Sequence, residues 1–198
     1  MGFLDCYSAV SEGLVSVFEW SVVLGLVIFM FVFILVVDIL WFKGGFKGSV
    51  ESVYLEFIWT LLPLMVLVFL AYPSMVLMYM FNPETGASTG CSVMGWQWYW
   101  SYSMSGFSFE SYPSGAYRLL DVDNRLVLPK GGWVKLFISS GDVIHSWALP
   151  SFGVKMDAIP GRVNVLDMFC AMAGVFYGQC SELCGVGHSF MPICVEVI

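Results

Sequence analysis

The sequence predicts a membrane-anchored all-β protein: a two-helix hairpin in the bilayer, then a β-sandwich or barrel beyond it. Three observations predict it. The chain has 198 residues, 59% of them hydrophobic and 12% charged, where a soluble domain has roughly 45–50% and about 25%. Two long stretches, residues 20–37 and 57–83, carry no charge at all. Beyond them, short apolar runs alternate with turn signals, the pattern of a sandwich or barrel. The formal net charge of −7 excludes the basic surface of a nucleic-acid binder.

The first helix is expected near 16–42. A bilayer core of about 30 Å needs roughly 20 apolar helical residues. The uncharged run of 18 meets this when Asp38 lies near its end, since a charge at the bilayer centre costs about 2.5–3.5 kcal/mol. Trp20 and Trp41 suit the two interfaces. The second helix is expected near 55–81. It contains Pro63 and Pro73, which membrane helices tolerate when neighbours re-satisfy the backbone. Two buried helices of a soluble core are the competing reading, but uncharged runs of this length seldom occur there. Asp5, Glu12 and Glu19 make the start acidic, unlike the positive start of a cleaved signal peptide. Lys43 and Lys47 lie in the connector, whereas the first 42 residues hold four acids and no base. This bias puts the connector inside, and the N-terminus and everything after Pro83 outside.

Residues 1–82 therefore form the anchor and 83–198 the β domain. Strands are expected over 92–102, 117–122, 133–139, 143–149, 163–171, 175–179 and 192–198. Between them lie turn sequences such as Tyr112-Pro113-Ser114-Gly115 and Pro129-Lys130-Gly131-Gly132. About 116 residues suffice for one core.

The chain has two histidines and six cysteines. His145 lies in Asp142-Val143-Ile144-His145-Ser146-Trp147. The other histidine closes the pattern Cys180-x3-Cys184-x3-His188-x2-Met191. Two thiols, an imidazole and a thioether thus share one 12-residue loop. Zinc accepts two Cys and two His but has no use for a thioether. Iron–sulfur clusters usually want four thiolates, or two Cys and two His. Copper electron-transfer sites combine thiolate, imidazole and a weak axial methionine. Two cysteines in one loop would let both sulfurs bridge two copper ions, each with one histidine. Met191 would be the axial ligand of one copper, and a backbone carbonyl within the Cys-x3-Cys segment that of the other. A disulfide or a pair of core thiols is the competing reading. Cys6, Cys91, Cys170 and Cys194 lack such partners and read as small core or lipid-facing residues.

These residues resemble subunit II of cytochrome c oxidase over nearly the whole chain. The resemblance is carried by Gly95-Trp96-Gln97-Trp98-Tyr99-Trp100-Ser101-Tyr102, Asp121-Val122-Asp123-Asn124-Arg125, His145-Ser146-Trp147, Asp157-Ala158-Ile159-Pro160-Gly161-Arg162 and the loop from Cys180 to Pro192. It implies a cupredoxin-like Greek-key β domain with a binuclear copper centre, CuA. The ligands it implies are His145, Cys180, the main-chain carbonyl of Glu182, Cys184, His188 and Met191. It also implies a magnesium ion shared with subunit I at the Glu182 side chain. Trp98 would take up electrons from cytochrome c, and Glu56 would stand at the mouth of a proton pathway. Asp157 and Arg162 would face subunit I. Without the resemblance, Glu56 reads equally well as an interfacial anchor, and Trp96 and Trp100 as core rings.

The resemblance further implies an electron-transfer subunit of a proton-pumping oxidase, with oxygen reduction in subunit I. Partners would be cytochrome c, subunit I, other oxidase subunits and membrane lipid. The implied place is the mitochondrial inner membrane, with the β domain and N-terminus in the intermembrane space; a bacterial plasma membrane is the second choice. Abundant Phe, Val, Gly, Trp and Cys beside scarce Thr, Asn, Gln and Lys fit the T/G-rich coding strand of many organellar genomes. The chain departs from the family in three respects. Residues 103–107 hold no acid where the family usually has an acidic stretch, Trp96 stands where the family often has histidine, and no C-terminal helix follows the last strand. The alternative functions are a membrane-anchored copper-binding assembly factor, which would not need Met191, and a quinol oxidase subunit II, which would lack the copper ligands.

Overall fold

The computed structural model describes residues 5–42, 48, 51–80, 86–87, 89–115 and 118–198. The connector lysines Lys43 and Lys47, the expected boundary at Pro83 and the expected strand start at Tyr117 lie outside the described residues. The chain divides into two compact units: Gly13–Tyr79, and a β unit made of Met1–Glu12 with Met80–Ile198.

Helix α1 spans Ala9–Phe42 and α2 spans Val53–Met80. At ~1.5 Å per residue they run about 51 and 42 Å, longer than a bilayer core of about 30 Å. Both cross a membrane by length and apolarity, and their large side chains are exposed along most of both helices. Buried helices of a soluble core would hide these surfaces. The first helix starts earlier than expected because Ser8 caps it. The Ser11 N–H donates to Ser8 Oγ (3.0 Å), and the Glu12 N–H donates to the Ser8 carbonyl (3.0 Å). Ser52 opens α2 in the same way, accepting from Leu55 N–H (3.4 Å) through its hydroxyl and from Glu56 N–H (3.0 Å) through its carbonyl.

The β unit is a sandwich of two five-stranded sheets. The strands are β1 (Thr89–Trp96), β2 (Tyr99–Met104), β3 (Phe107–Ser111), β4 (Leu126–Leu128), β5 (Trp133–Ser140), β6 (His145–Leu149), β7 (Val154–Ala158), β8 (Asn164–Phe169), β9 (Gly174–Cys180) and β10 (Pro192–Val197). One sheet has the order β3-β2-β1-β5-β8 and the other β4-β10-β9-β6-β7. The pairs β1–β5 and β4–β10 are parallel, and all other pairs are antiparallel. Alternate residues of β5 turn inward: Val134, Leu136 and Ile138 are fully buried. They meet Val93, Trp100 and Tyr102 in one core with Trp147, Leu149, Ile193 and Val195.

Several expected strands differ in detail. The run expected over 92–102 is a hairpin, with β1 and β2 paired from Cys91↔Met104 to Trp96↔Tyr99. Its turn, Gln97-Trp98, contains none of the residues that usually mark turns. Residues 118–122 form a turn with a single bridge, Pro113↔Val122, and no strand. Three strands, β3, β4 and β7, were not expected. All are short; polar residues blur the alternation in β3 and β7, and β4 is three apolar residues, too few to show one.

Candidate metal centre

The topology brings the two histidine-bearing segments together. His145 opens β6 and Cys180 closes β9, and these strands pair through Trp147↔Cys180 and Ala148↔Gln179. The loop after Cys180 is tied back at both ends. Ser181 N–H donates to the Ser146 carbonyl (2.9 Å), and Cys180 N–H to the Met191 carbonyl (3.4 Å). Within the loop, His188 N–H donates to the Gly185 carbonyl (3.2 Å) and Phe190 N–H to the Gly187 carbonyl (2.9 Å).

The donor atoms fall into two sets around the pair of thiols. Cys180 Sγ and Cys184 Sγ are 3.9 Å apart. On one side, Cys180 Sγ lies 3.9 Å from His145 Nδ1 and 3.3 Å from the Glu182 carbonyl. On the other, Cys184 Sγ lies 3.6 Å from His188 Nδ1 and 3.4 Å from Met191 Sδ. All six cysteines are free thiols. With metal–sulfur bonds of about 2.3 Å, two sulfurs 3.9 Å apart can both contact the same metal. Each thiol has its own imidazole and its own weak donor, so the set fits two metals better than one tetrahedral zinc. Thiolate, imidazole and thioether together favour copper. His145, Cys180, Cys184 and Met191 are buried, which keeps water from the donors.

A second layer of hydrogen bonds orients His145. Its Nε2 lies 2.8 Å from Asp142 Oδ1, which also accepts from Val143 N–H (2.6 Å). Asp142 Oδ2 accepts from Gln97 N–H (2.6 Å). With Nε2 committed to the carboxylate, Nδ1 is free to face the thiols. The Gln97 side chain reaches the loop itself, its Nε2 donating to the Cys184 carbonyl (2.7 Å). These roles of Gln97 and Asp142 are not among those expected from the sequence. Asp142, three residues before His145, carried a usable signal; Gln97 carried none.

The thiols are electrostatically unequal. Burial alone would raise Cys180, but hydrogen bonds from His145, the backbone at Ser146 and Glu182, and His188 outweigh it and hold the thiol at about 6. Cys184 is pushed up to about 12, first by burial and then by the charge on Cys180. The pair should therefore lose one proton easily and the second reluctantly. In the metal-free protein, thiolate absorbance should show a first step near pH 6, and His145→Ala should move it toward the ordinary 9.0. The depressed Cys180 contributes fully above pH 9 and loses its contribution as pH falls toward 6. The raised Cys184 contributes fully below pH 9 and loses its contribution as pH rises toward 12. A first step at pH 8 or above would show that the imidazoles do not face the thiols.

The other candidate residues lie in several places. Trp98 sits at the β1–β2 turn, partly exposed, against Gly185 and Gly187 of the loop. The Glu182 side chain is exposed. Among the described residues it belongs to no cluster of three or more His, Cys, Asp or Glu donors, whereas His145, Cys180 and Cys184 form one within 4.8 Å. Asp157 accepts from Ser146 Oγ (2.8 Å), which ties β7 to β6 beside His145. Arg162 is exposed in the turn after β7. Glu56 lies in the first turn of α2 and is exposed. Cys91, Cys170 and Cys194 are buried away from the site, and burial pushes each thiol up to about 11.

A two-helix membrane anchor and a cupredoxin-like sandwich whose loop gathers paired thiols define a membrane-bound copper-binding protein. Two family profiles match: "Cytochrome C oxidase subunit II, transmembrane domain" over residues 1–77 and "Cytochrome C oxidase subunit II, periplasmic domain" over 90–198. The chain belongs to the cytochrome c oxidase subunit II family. It is similar to the periplasmic domain of subunit II of cytochrome oxidase (CoxB) of Bradyrhizobium japonicum. The identity is 46% and the TM-score 0.56, over 58% of this chain and 86% of that one. It is also similar to a structure of the mixed disulfide intermediate between a thioredoxin-like protein, TlpAs, and subunit II of cytochrome c oxidase. There the identity is 45% and the TM-score 0.52, over 58% of this chain and 84% of that one.

Proposed function

We propose that this chain receives electrons from cytochrome c at a binuclear copper centre and passes them to the haem of subunit I, where oxygen is reduced to water and protons are pumped. The observation that carries this reading is the division of six donors into two sets of three around Cys180 and Cys184. These residues would hold two copper ions, which would supply a one-electron carrier with its charge shared by both metals. The protein supplies a buried, pre-shaped donor set, so little has to move when the charge changes. His145 is held by Asp142, His188 by the turn closed on Gly185, and Met191 by the backbone bond to Cys180.

In this reading Trp98 takes up the electron at the surface and Glu56 stands at the mouth of a proton pathway. The Glu182 carbonyl would serve as a copper donor, and its exposed side chain would hold a magnesium ion shared with subunit I. Residues 1–82 are the anchor and 83–198 the copper domain. The chain sits among lipid and other oxidase subunits in the mitochondrial inner membrane, with the copper domain in the intermembrane space. A copper-binding assembly factor has no observation in its favour. Its thioredoxin-like fold would need helices between the strands, and among the described residues the β unit is a two-sheet sandwich with only short 3-10 turns between strands.

Electron paramagnetic resonance on the oxidised, copper-loaded full chain tests the proposal. An unpaired electron shared over two copper nuclei is expected. A mononuclear pattern would overturn the reading.

A further inference from the structure

Residues 185–187, Gly-Val-Gly, connect Cys184 to His188. The indole of Trp98 lies across them. Its Cζ2 and Nε1 face Gly185, and its Cβ, Cγ and Cδ2 face Gly187. A Cβ on Gly185 would stand 3.2 Å from Cζ2 and 3.4 Å from Nε1; one on Gly187 would overlap the ring itself. The two glycines differ in what demands them. Gly185 has φ +124, a conformation that disfavours any side chain. Gly187 has φ −85 and ψ 9, the values of the third residue of a type I turn, which most residues can adopt. The backbone does not require glycine at 187; the space does.

We infer that Gly187 is a positioning residue for electron uptake: its lack of a side chain lets the Trp98 indole rest directly on the backbone between Cys184 and His188. The inference rests on the electron-uptake role proposed for Trp98. Neither partner can easily yield. The loop is held by the bonds His188 N–H to Gly185 (3.2 Å) and Phe190 N–H to Gly187 (2.9 Å). The hairpin is held by Gln97, whose backbone N–H meets Asp142 and whose side chain meets the Cys184 carbonyl. The open side of the indole is its solvent side, since Trp98 is 37% exposed. A methyl group at 187 would therefore push the ring outward and leave a gap between ring and loop. Val186 points away, at 93% exposure.

The test uses the assembled oxidase carrying Gly187→Ala. Copper reduction by saturating cytochrome c should slow several-fold, because electron tunnelling weakens steeply with each ångström of added gap. Reduction by a small diffusible reductant, which does not need Trp98, should keep its rate, and the copper resonance signal should be unchanged. In a Trp98→Ala background, Gly187→Ala should add no further loss, because coupled residues act as a unit. Val186→Ala should behave as the parent. In the metal-free chain, the Gly187 Cα protons should be shifted upfield by the indole ring current, and Trp98→Ala should abolish the shift. Additive losses, an altered copper signal or an ordinary Gly187 proton shift would overturn the inference. A full rate in Gly187→Ala beside a slow Trp98→Ala overturns it alone. Full rates in both overturn the electron-uptake role of Trp98 with it.

Discussion

Cys184→Ser should abolish the two-nucleus copper signal and, in the assembled oxidase, nearly all electron uptake from cytochrome c. Cys184 Sγ is the central donor of the site, 3.9 Å from Cys180 Sγ, 3.6 Å from His188 Nδ1 and 3.4 Å from Met191 Sδ. A serine hydroxyl is a smaller, harder donor, poorly suited to a soft metal. Changes to groups that merely orient ligands cost about 10–100-fold in affinity or activity, so losing a donor itself should exceed that range. The residual copper should give a mononuclear pattern. Cys194→Ala is the matched control. Cys194 is a fully buried thiol on β10, paired with Tyr177 of β9. It is removed from the copper donors, so the shared-electron signal should survive. A shared-electron signal in Cys184→Ser, or its loss in Cys194→Ala, would show that the donors are wrongly assigned. Thermal unfolding of metal-free Cys184→Ser should stay close to the parent, since the substitution changes one atom.

Much of the site is legible in the sequence because four donors lie on one short loop. Cys180, Cys184, His188 and Met191 need only local chain geometry to meet, so their spacing is itself the signal. His145 is 35 residues upstream, and its place depends on the β6–β9 pairing. It could be named only because the chain has no third histidine. The groups that hold the site are harder to read. Gln97 bonds Asp142 through its backbone and Cys184 through its side chain, and neither bond leaves a trace in residue type. Gly187 resembles any loop glycine until the indole across it is seen. The fold divides in the same way. Uncharged runs disclose the membrane helices directly, because lipid imposes composition. The β1–β2 hairpin is hidden, because its aromatic alternation continues through the Gln97-Trp98 turn. Of the three unexpected strands, β3 and β7 pair with the strands just before them, β2 and β6, across short turns, whereas β4 is only Leu126–Leu128 and is fixed by its parallel pairing with the distant β10.

Trp147→Ala should unfold the copper domain at much lower temperature, and should lose copper by that route without removing any donor. Trp147 is fully buried between the two sheets. Its strand neighbours across β6 are Met156 on one side and Cys180 on the other. Its indole N–H donates to the Tyr102 hydroxyl (3.4 Å), a bond that joins the two sheets through the core. Truncating a buried Trp costs about 3–5 kcal/mol, and a buried hydroxyl left without its partner costs about 1–3 kcal/mol. Domains of this size are stable by about 5–15 kcal/mol, so the midpoint of thermal unfolding should fall by on the order of 15 °C or more. The measurement is calorimetry or circular dichroism on the metal-free protein, where ligand chemistry cannot contribute. Trp147→Phe separates the two causes. It keeps most of the buried volume but removes the N–H, so its loss should approach the hydroxyl term alone. Tyr102→Phe in the Trp147→Phe background should then recover part of that loss, because both ends of the bond become apolar. A Trp147→Ala protein that melts with the parent would mean that the sheets are held together elsewhere. A Trp147→Ala protein that is destabilised yet keeps a shared-electron signal when copper-loaded at low temperature would locate the role of Trp147 in the fold and not in the placing of the donors. That second outcome is expected, since the loop closes through its own bonds, Cys180 N–H to Met191 and His188 N–H to Gly185.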